Sequence, residues 1–234
     1  MTLSGVLQRA RKSAYRLFRY HWITERVQHV VRRNRRLKLT AINLELEVEP
    51  GSVFIDCGAN VGGITSMFAR AGATVYAFEP NPMCYDILSK RFSAMPMVHC
   101  LNRGVMDRIC KLTLSTPRAH GQWDAIDSTV AASFTPGALS PSKHLIQQVE
   151  VECIDLSSFI QSLNQRVRLL KLDIEGSEIE VLNHLMDSGA MELIDLVVVE
   201  THERQMPHLL EATNALRARI REEGLEGKIR LDWY

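Results

Sequence analysis

The sequence predicts an α/β protein whose mostly parallel sheet carries helices on both faces. Three observations point to this class. From residue 50 onward, short aliphatic or β-branched runs alternate with stretches of helical periodicity. The first run ends in an acid and a glycine-rich turn, as expected where a strand feeds a helix at close quarters. A length of 234 residues suits one well-buried domain, at roughly 150 residues per domain. With 46% apolar and 24% charged residues, the composition is that of an ordinary globular chain and not a disordered one.

Residues 1–40 read as a basic helical appendage, and residues 41–234 as the main domain. Leu3, Leu7, Ala10, Ala14, Leu17 and Phe18 recur at helical spacing. Residues 1–38 carry eleven Lys or Arg and a single acid, Glu25. Such an arm packs its apolar stripe on the domain, draws the chain to an anionic membrane surface or acidic substrate, or serves as a cleavable presequence.

The main domain then unfolds element by element. Val53 to Cys57 is a buried strand, and Ile64, Met67, Phe68 and Ala71 mark one face of a helix that Gly72 stops. Thr74 to Phe78 is the second strand. Asn81 and Pro82 suit the N-cap and first position of a helix running toward Phe92. Met97 to Leu101 is the third strand. Arg108 to Ser115 and Gln147 to Ile154 alternate as added strands around a Pro-, Gly-, Ser- and Thr-rich surface loop, 116–146. Arg168 to Ile174 and Ile194 to Val199 are strands flanking a helix with Ile179, Leu182, Leu185 and Met186 on its apolar side. A helix from Pro207 to Glu223 and a strand within Lys228 to Trp233 complete the domain.

The five cysteines, at 57, 84, 100, 110 and 153, contain no C-x-x-C pair. That usage predicts buried, reduced thiols in a cytoplasmic protein and argues against thiolate metal sites. No apolar stretch approaches the ~20 residues of a membrane span, and no secretion-signal core is present.

The stretch VFIDCGANVGG, residues 53–63, carries the chemistry. A dinucleotide fingerprint needs glycines at 56, 58 and 61, and the chain has Asp56, Gly58 and Val61. A carboxylate at 56 repels a pyrophosphate on the turn amides and attracts an ammonium group. Glu79 follows 23 residues later, at the second strand's end, where an acid accepts hydrogen bonds from ribose hydroxyls. A ligand with both ribose and an amino-acid tail is S-adenosylmethionine.

Together VFIDCGANVGG, YAFEPNP, LLKLDIEGSEIEVL and VVVETHE, over about residues 48–203, resemble the FkbM-type S-adenosylmethionine-dependent methyltransferases. The KLDIEGSE segment behind such a turn is the distinguishing part. The resemblance implies a seven-stranded, Rossmann-like class I methyltransferase sheet and methyl transfer to hydroxyls of sugars, glycolipids or secondary metabolites. Carried over by position, Asp56, Gly58, Asn60 and Gly62 form the cofactor's amino-acid and ribose cradle, and Glu79 clamps the ribose. Asn102, Arg103 and Gly104 resemble the segment passing the adenine, and Asp173 the position facing the methionyl end and substrate. After the fifth strand only one convincing strand remains where that fold supplies an antiparallel pair. A shortened sheet with an unpaired edge would favour a homodimer.

An aliphatic hydroxyl is barely ionised at neutral pH, so a proton acceptor would contribute roughly 10²- to 10⁴-fold. Asp173, Glu175, Glu178 and His202 are the candidates near the fourth and fifth strand ends; His202 titrates in the useful range, about 6.5 unperturbed. Lys171 shares a strand face with Asp173 and either pairs with it or touches an anionic substrate. His120, Trp123, Asp124 and Ser128 are loop candidates for the acceptor site. Nothing in the spacing of Asp173, Glu200 and His202 demands a metal, and none is assigned. Two rival functions remain: a nucleic-acid methyltransferase gripping phosphates with the basic arm, and a non-catalytic cofactor-binding scaffold. The first is disfavoured, because LDIEGSE stands where an amine-methylating Asn/Asp-Pro-Pro-Tyr/Phe segment would be.

Overall fold

The computed structural model describes residues 48–117 and 146–231. The expected N-terminal helix, the loop residues His120, Trp123, Asp124 and Ser128, and the last three positions lie outside them. Among the described residues no helix is long and apolar enough to cross a membrane.

Fourteen helices and strands are named here in chain order. They are β1 (Val53–Cys57), α1 (Thr65–Arg70), β2 (Thr74–Phe78), α2 (Pro82–Phe92), β3 (Val98–Leu101), β4 (Gly104–Met106), β5 (Cys110–Pro117), β6 (Ile146–Asp155), α3 (Leu156–Ser162), β7 (Val167–Leu172), α4 (Glu178–Asp187), β8 (Ile194–Val199), α5 (Leu210–Glu222) and β9 (Ile229–Arg230). The main sheet has the order β3-β2-β1-β7-β8-β9, and every pairing in it is parallel. The chain builds outward from β1 to β3, returns to the middle, and builds outward again from β7. Strand order therefore reverses between β1 and β7, and the ligand crevice of such a sheet opens beyond their carboxyl ends.

Burial explains the strand sequences. All five residues of β1 are buried, and β7 and β8 are buried at all but their second positions, so these strands read as continuous apolar runs rather than alternating ones. Helix α1 lays Phe68 on Phe54 of β1, ring centroids 4.1 Å apart. Asn81 caps α2 as expected, its side chain accepting from the Met83 amide, and α4 buries Ile179, Leu182 and Leu185 against the sheet.

The main sheet has six strands among the described residues, the shortened form of the seven-stranded pattern, and its last strand joins β8 in parallel; β9 is two residues long and anchored by the buried Ile229. The two added strands do not extend this sheet. They form a second one, β4-β6-β5, in which β6 pairs β4 in parallel and β5 antiparallel. Helix α3 was not anticipated, although Asp155 before Leu-Ser-Ser is an N-cap signal: its side chain accepts from the Ser157 and Ser158 amides.

Candidate active site at the strand tips

The turn after β1 depends on left-handed backbone at Gly58, Asn60 and Gly62, with φ of 76°, 53° and 79°. At Gly58 a Cβ would collide with the backbone carbonyl of Asp173. The tips of β1 and β7 therefore touch backbone to backbone, and the Asp173 amide donates to the Cys57 carbonyl at 3.2 Å. Gly62 serves a different need. Its missing side chain would run into Leu88 and Phe92 of α2, so helix packing by itself demands glycine there.

Glu79 is buried at the tip of β2 and locks two turns together. One carboxylate oxygen accepts from the Asn60 amide at 2.7 Å, the other from the Asn81 amide at 2.8 Å. Burial pushes its pKa up, against the two amide bonds, to about 7. Asn102 supports the same corner from β3, its amide nitrogen donating to the carbonyls of Glu79 and Pro80 at 2.8 and 3.1 Å.

The electrostatic role expected of Asp56 is corrected. Its carboxylate, 2% exposed, is already answered from within the fold. One oxygen accepts from the Thr65 hydroxyl at 2.7 Å; the other stands 3.2 Å from the Lys171 ammonium, an ionic contact not aligned as a hydrogen bond. Lys171, the residue paired with Asp56 in the β1–β7 register, also donates to the carbonyls of Cys57 and Gly58 at 3.1 and 2.7 Å and lies 3.4 Å from Asp173. Burial would neutralise this lysine, but Asp173, Asp56 and Glu200 outweigh it and hold its pKa above the ordinary value. It is an internal ion pair, with no anionic substrate required.

Beyond β7 and β8 lies a second group. His202 is 4% exposed and sits among carboxylates: Nδ1 is 3.1 Å from Glu178, and Nε2 is 3.5 Å from Glu175, 3.8 Å from Asp173 and 3.9 Å from Glu200. Glu178 is the first residue of α4 and its carboxylate accepts from the Ile174 and Gly176 amides, closing the turn that places Glu175 in left-handed backbone, φ 55°. Burial alone would depress His202, yet the contact with Glu178 and the charges of Glu175 and Asp173 lift it to about 9. In this setting the ring holds its proton above the ordinary range on which the sequence argument for His202 rests. Burial raises Glu175 to about 7, with the His202 charge opposing.

Asp56, Gly58, Asn60, Glu79 and Asp173 thus meet at the switch point, with Glu175 and His202 beside them. Arg103 and Gly104 make other contacts within the fold. The Arg103 guanidinium pairs with Glu152 at 3.0 Å, on the rim of a separate cavity of about 620 Å³ that shares no lining residue with the strand-tip cluster. Gly104 opens β4 and is buried in the second sheet. Sequence reasoning missed Thr65 altogether; it grouped Glu178 and Glu200 with His202 but did not foresee their contacts with its ring nitrogens. Strand alternation, linking Lys171 to Asp173, gave a usable signal.

The chain is similar to several curated proteins. It is 30% identical over 177 residues to "Methyltransferase sdnD" of Sordaria araneosa, covering 66% of this chain and 68% of that one. It is 26% identical over 156 residues to "Hexuronic acid methyltransferase AglP" of Haloferax volcanii, covering 67% and 58%. It is 26% identical over 187 residues to "31-O-demethyl-FK506 methyltransferase FkbM" of Streptomyces tacrolimicus, covering 68% of each. The matches span 58% to 68% of these three relatives. No solved structure gives a significant match. The model of the methyltransferase FkbM domain matches residues 56–225, from the Asp56 turn through α5, and the chain belongs to the FkbM methyltransferase family.

Proposed function

We propose that this chain is an S-adenosylmethionine-dependent O-methyltransferase acting on a hydroxyl of a sugar, glycolipid or secondary metabolite. The observation that carries the reading is the charge at the switch point: six carboxylates, of Asp56, Glu79, Asp173, Glu175, Glu178 and Glu200, outnumber the two side-chain cations, Lys171 and His202. Such a crevice suits a cationic, ribose-bearing donor and repels a dinucleotide's phosphates. The bare backbone at Gly58 and the carboxylate of Glu79 beside it fit the amino-acid and ribose parts of that donor. Two relatives bear names with a hexuronic acid and a 31-O-demethyl-FK506 acceptor, which supports a hydroxyl of a sugar or secondary metabolite as the acceptor here.

Bound there, the donor supplies an electrophilic methyl on a sulfonium, whose S–CH₃ pair returns to sulfur as the acceptor's O–CH₃ bond forms. The residues of the chain divide the remaining work. Asp56 and Lys171 hold the β1 and β7 tips in register from behind, so the cradle is set before any ligand arrives. Glu79, already accepting two amides, has lone pairs left for ribose hydroxyls. Asp173, Glu175 and His202 form one coupled unit, and that unit, not His202 alone, receives the hydroxyl proton.

Calorimetric titration of the donor, with labelled-methyl transfer to a panel of hydroxylated acceptors, tests this reading. One donor per chain, lost in Glu79→Ala, and methyl transfer to oxygen are expected. Donor binding without transfer to any acceptor would turn the reading to a cofactor-binding scaffold; salt-steep RNA binding with methylated RNA would turn it to nucleic acid.

A further inference from the structure

We propose that Asp173, Glu175 and His202 form a binding site for one divalent transition-metal cation at the mouth of the crevice. Each of the three offers one ligand atom, and these atoms lie within 4.8 Å of one another. His202 supplies the discriminating observation. The residue is buried, at 4% exposure, and its Nε2 is turned toward the two carboxylates. That nitrogen faces Glu175 Oε2 at 3.5 Å and Asp173 Oδ1 at 3.8 Å.

These separations are too long for hydrogen bonds, which peak at about 2.9 Å. They sit close to what a shared ion would set: ligand atoms at about 2.1 Å from one metal stand about 3.0 to 3.4 Å apart at octahedral or tetrahedral angles. Small side-chain rotations would close the difference. The supporting shell is also in place. Glu178 contacts the opposite ring nitrogen, Nδ1, at 3.1 Å, and is itself fixed by the Ile174 and Gly176 amides, the arrangement by which a carboxylate orients a metal-bound histidine. Asp173 keeps its other oxygen toward Lys171 at 3.4 Å.

Exposure of 17% and 34% at the Asp173 and Glu175 side chains leaves the ion a path in and open coordination positions toward solvent. One imidazole and two carboxylates favour a first-row divalent ion such as Mn²⁺ over Mg²⁺ or Ca²⁺. What the ion does rests on the methyltransferase reading. The ion would displace the His202 ring proton to solvent and, with the three side chains now its ligands in place of their own proton uptake, take the acceptor's hydroxyl oxygen as a further ligand and lower its pKa; the O–H proton leaves to water, and the freed oxygen pair forms the O–CH₃ bond.

The test uses the full chain, freed of metal by chelator and dialysed. Titration with Mn²⁺, followed by the paramagnetic resonance signal of free ion, should show one bound ion per chain. Pulsed resonance of the bound ion should show coupling to an imidazole nitrogen, a readout that needs no variant. Glu175→Gln, at the exposed edge, should bind at least about tenfold more weakly while unfolding like the wild type. Wild-type chain that retains no Mn²⁺, bound Mn²⁺ without nitrogen coupling, or unchanged affinity in folded Glu175→Gln overturns the site. Donor calorimetry in chelator separates the two claims: donor bound with no Mn²⁺ retained removes the metal site and leaves the methyltransferase reading, whereas Mn²⁺ bound with nitrogen coupling and no donor does the reverse.

Discussion

The tips of β1 and β2 and the tips of β7 and β8 lie side by side in one sheet and treat buried charge in opposite ways. Around β1 and β2, Asp56 and Glu79 are satisfied by the fold itself: a hydroxyl and an ammonium for one, two backbone amides for the other. Around β7 and β8, four carboxylates crowd a single histidine at 3.1 to 3.9 Å. The first region is a frame whose polar groups hold backbone in place. The second holds like charges together, and close like charges cost stability unless a cation joins them. Lys171 is the hinge between the two, touching Asp56 on one side and Asp173 on the other.

Removing that hinge should have the largest effect. Lys171→Met leaves the buried Asp56 and the part-buried Asp173 without their cation, and an expected loss of about 3–5 kcal/mol follows, read from urea unfolding. A variant within about 1 kcal/mol of the wild type would mean the frame does not depend on the ion pair. Gly58→Ala comes next. It forces a side chain into left-handed backbone, about 1–2 kcal/mol, and against the Asp173 carbonyl, a further cost of about 1–3 kcal/mol. Donor affinity should fall with it, because the β1 and β7 tips separate; an undisturbed affinity would detach the turn from the ligand.

Glu79 sharpens the comparison through pH. With its pKa raised to about 7, the carboxylate becomes fully charged only above neutrality, and a charged carboxylate accepts ribose hydroxyls more strongly. Donor binding by the wild type should tighten roughly tenfold from pH 6 to pH 8, and Glu79→Gln should lose that dependence. Equal slopes in both proteins would place the titrating group elsewhere.

The smallest effect concerns stability of the chain in chelator. Glu79, Glu175 and His202 all have folded pKa values above their ordinary ones, at about 7, 7 and 9 against 4.5, 4.5 and 6.5. Between about pH 4.5 and 9 the folded state therefore holds more protons than the unfolded state, and stability falls as pH rises. Denaturant midpoints measured at pH 6 and pH 9 should decrease in that order. The reverse order would show that the carboxylate cluster is not crowded as described.

Much of the architecture was legible because buried parallel strands and capped helices write themselves into local sequence. Thr74–Phe78 and Ile194–Val199 match their expected limits, and Asn81–Pro82 opens α2 as read. The acids of the site were legible too, each standing at a strand end. Their partners were not. Asp56 looked like an open carboxylate because Lys171 is 115 residues away in the chain and meets it only through β1–β7 pairing. The packing reason for glycine at 62, room for Leu88 and Phe92, exists only once α2 is docked. His202 looked like a neutral base because its charge is set by Glu178, Glu175 and Asp173, brought together by the turn ahead of α4.

By itself the sequence determined the strand-and-helix alternation, the glycine turn with its two acids, and the family. Those are properties of near neighbours, governed by periodicity and by backbone freedom at single residues. Tertiary structure alone decided which carboxylates are neutralised and which are crowded, because electrostatic energy depends on distance in space and on burial, and neither is written along the chain.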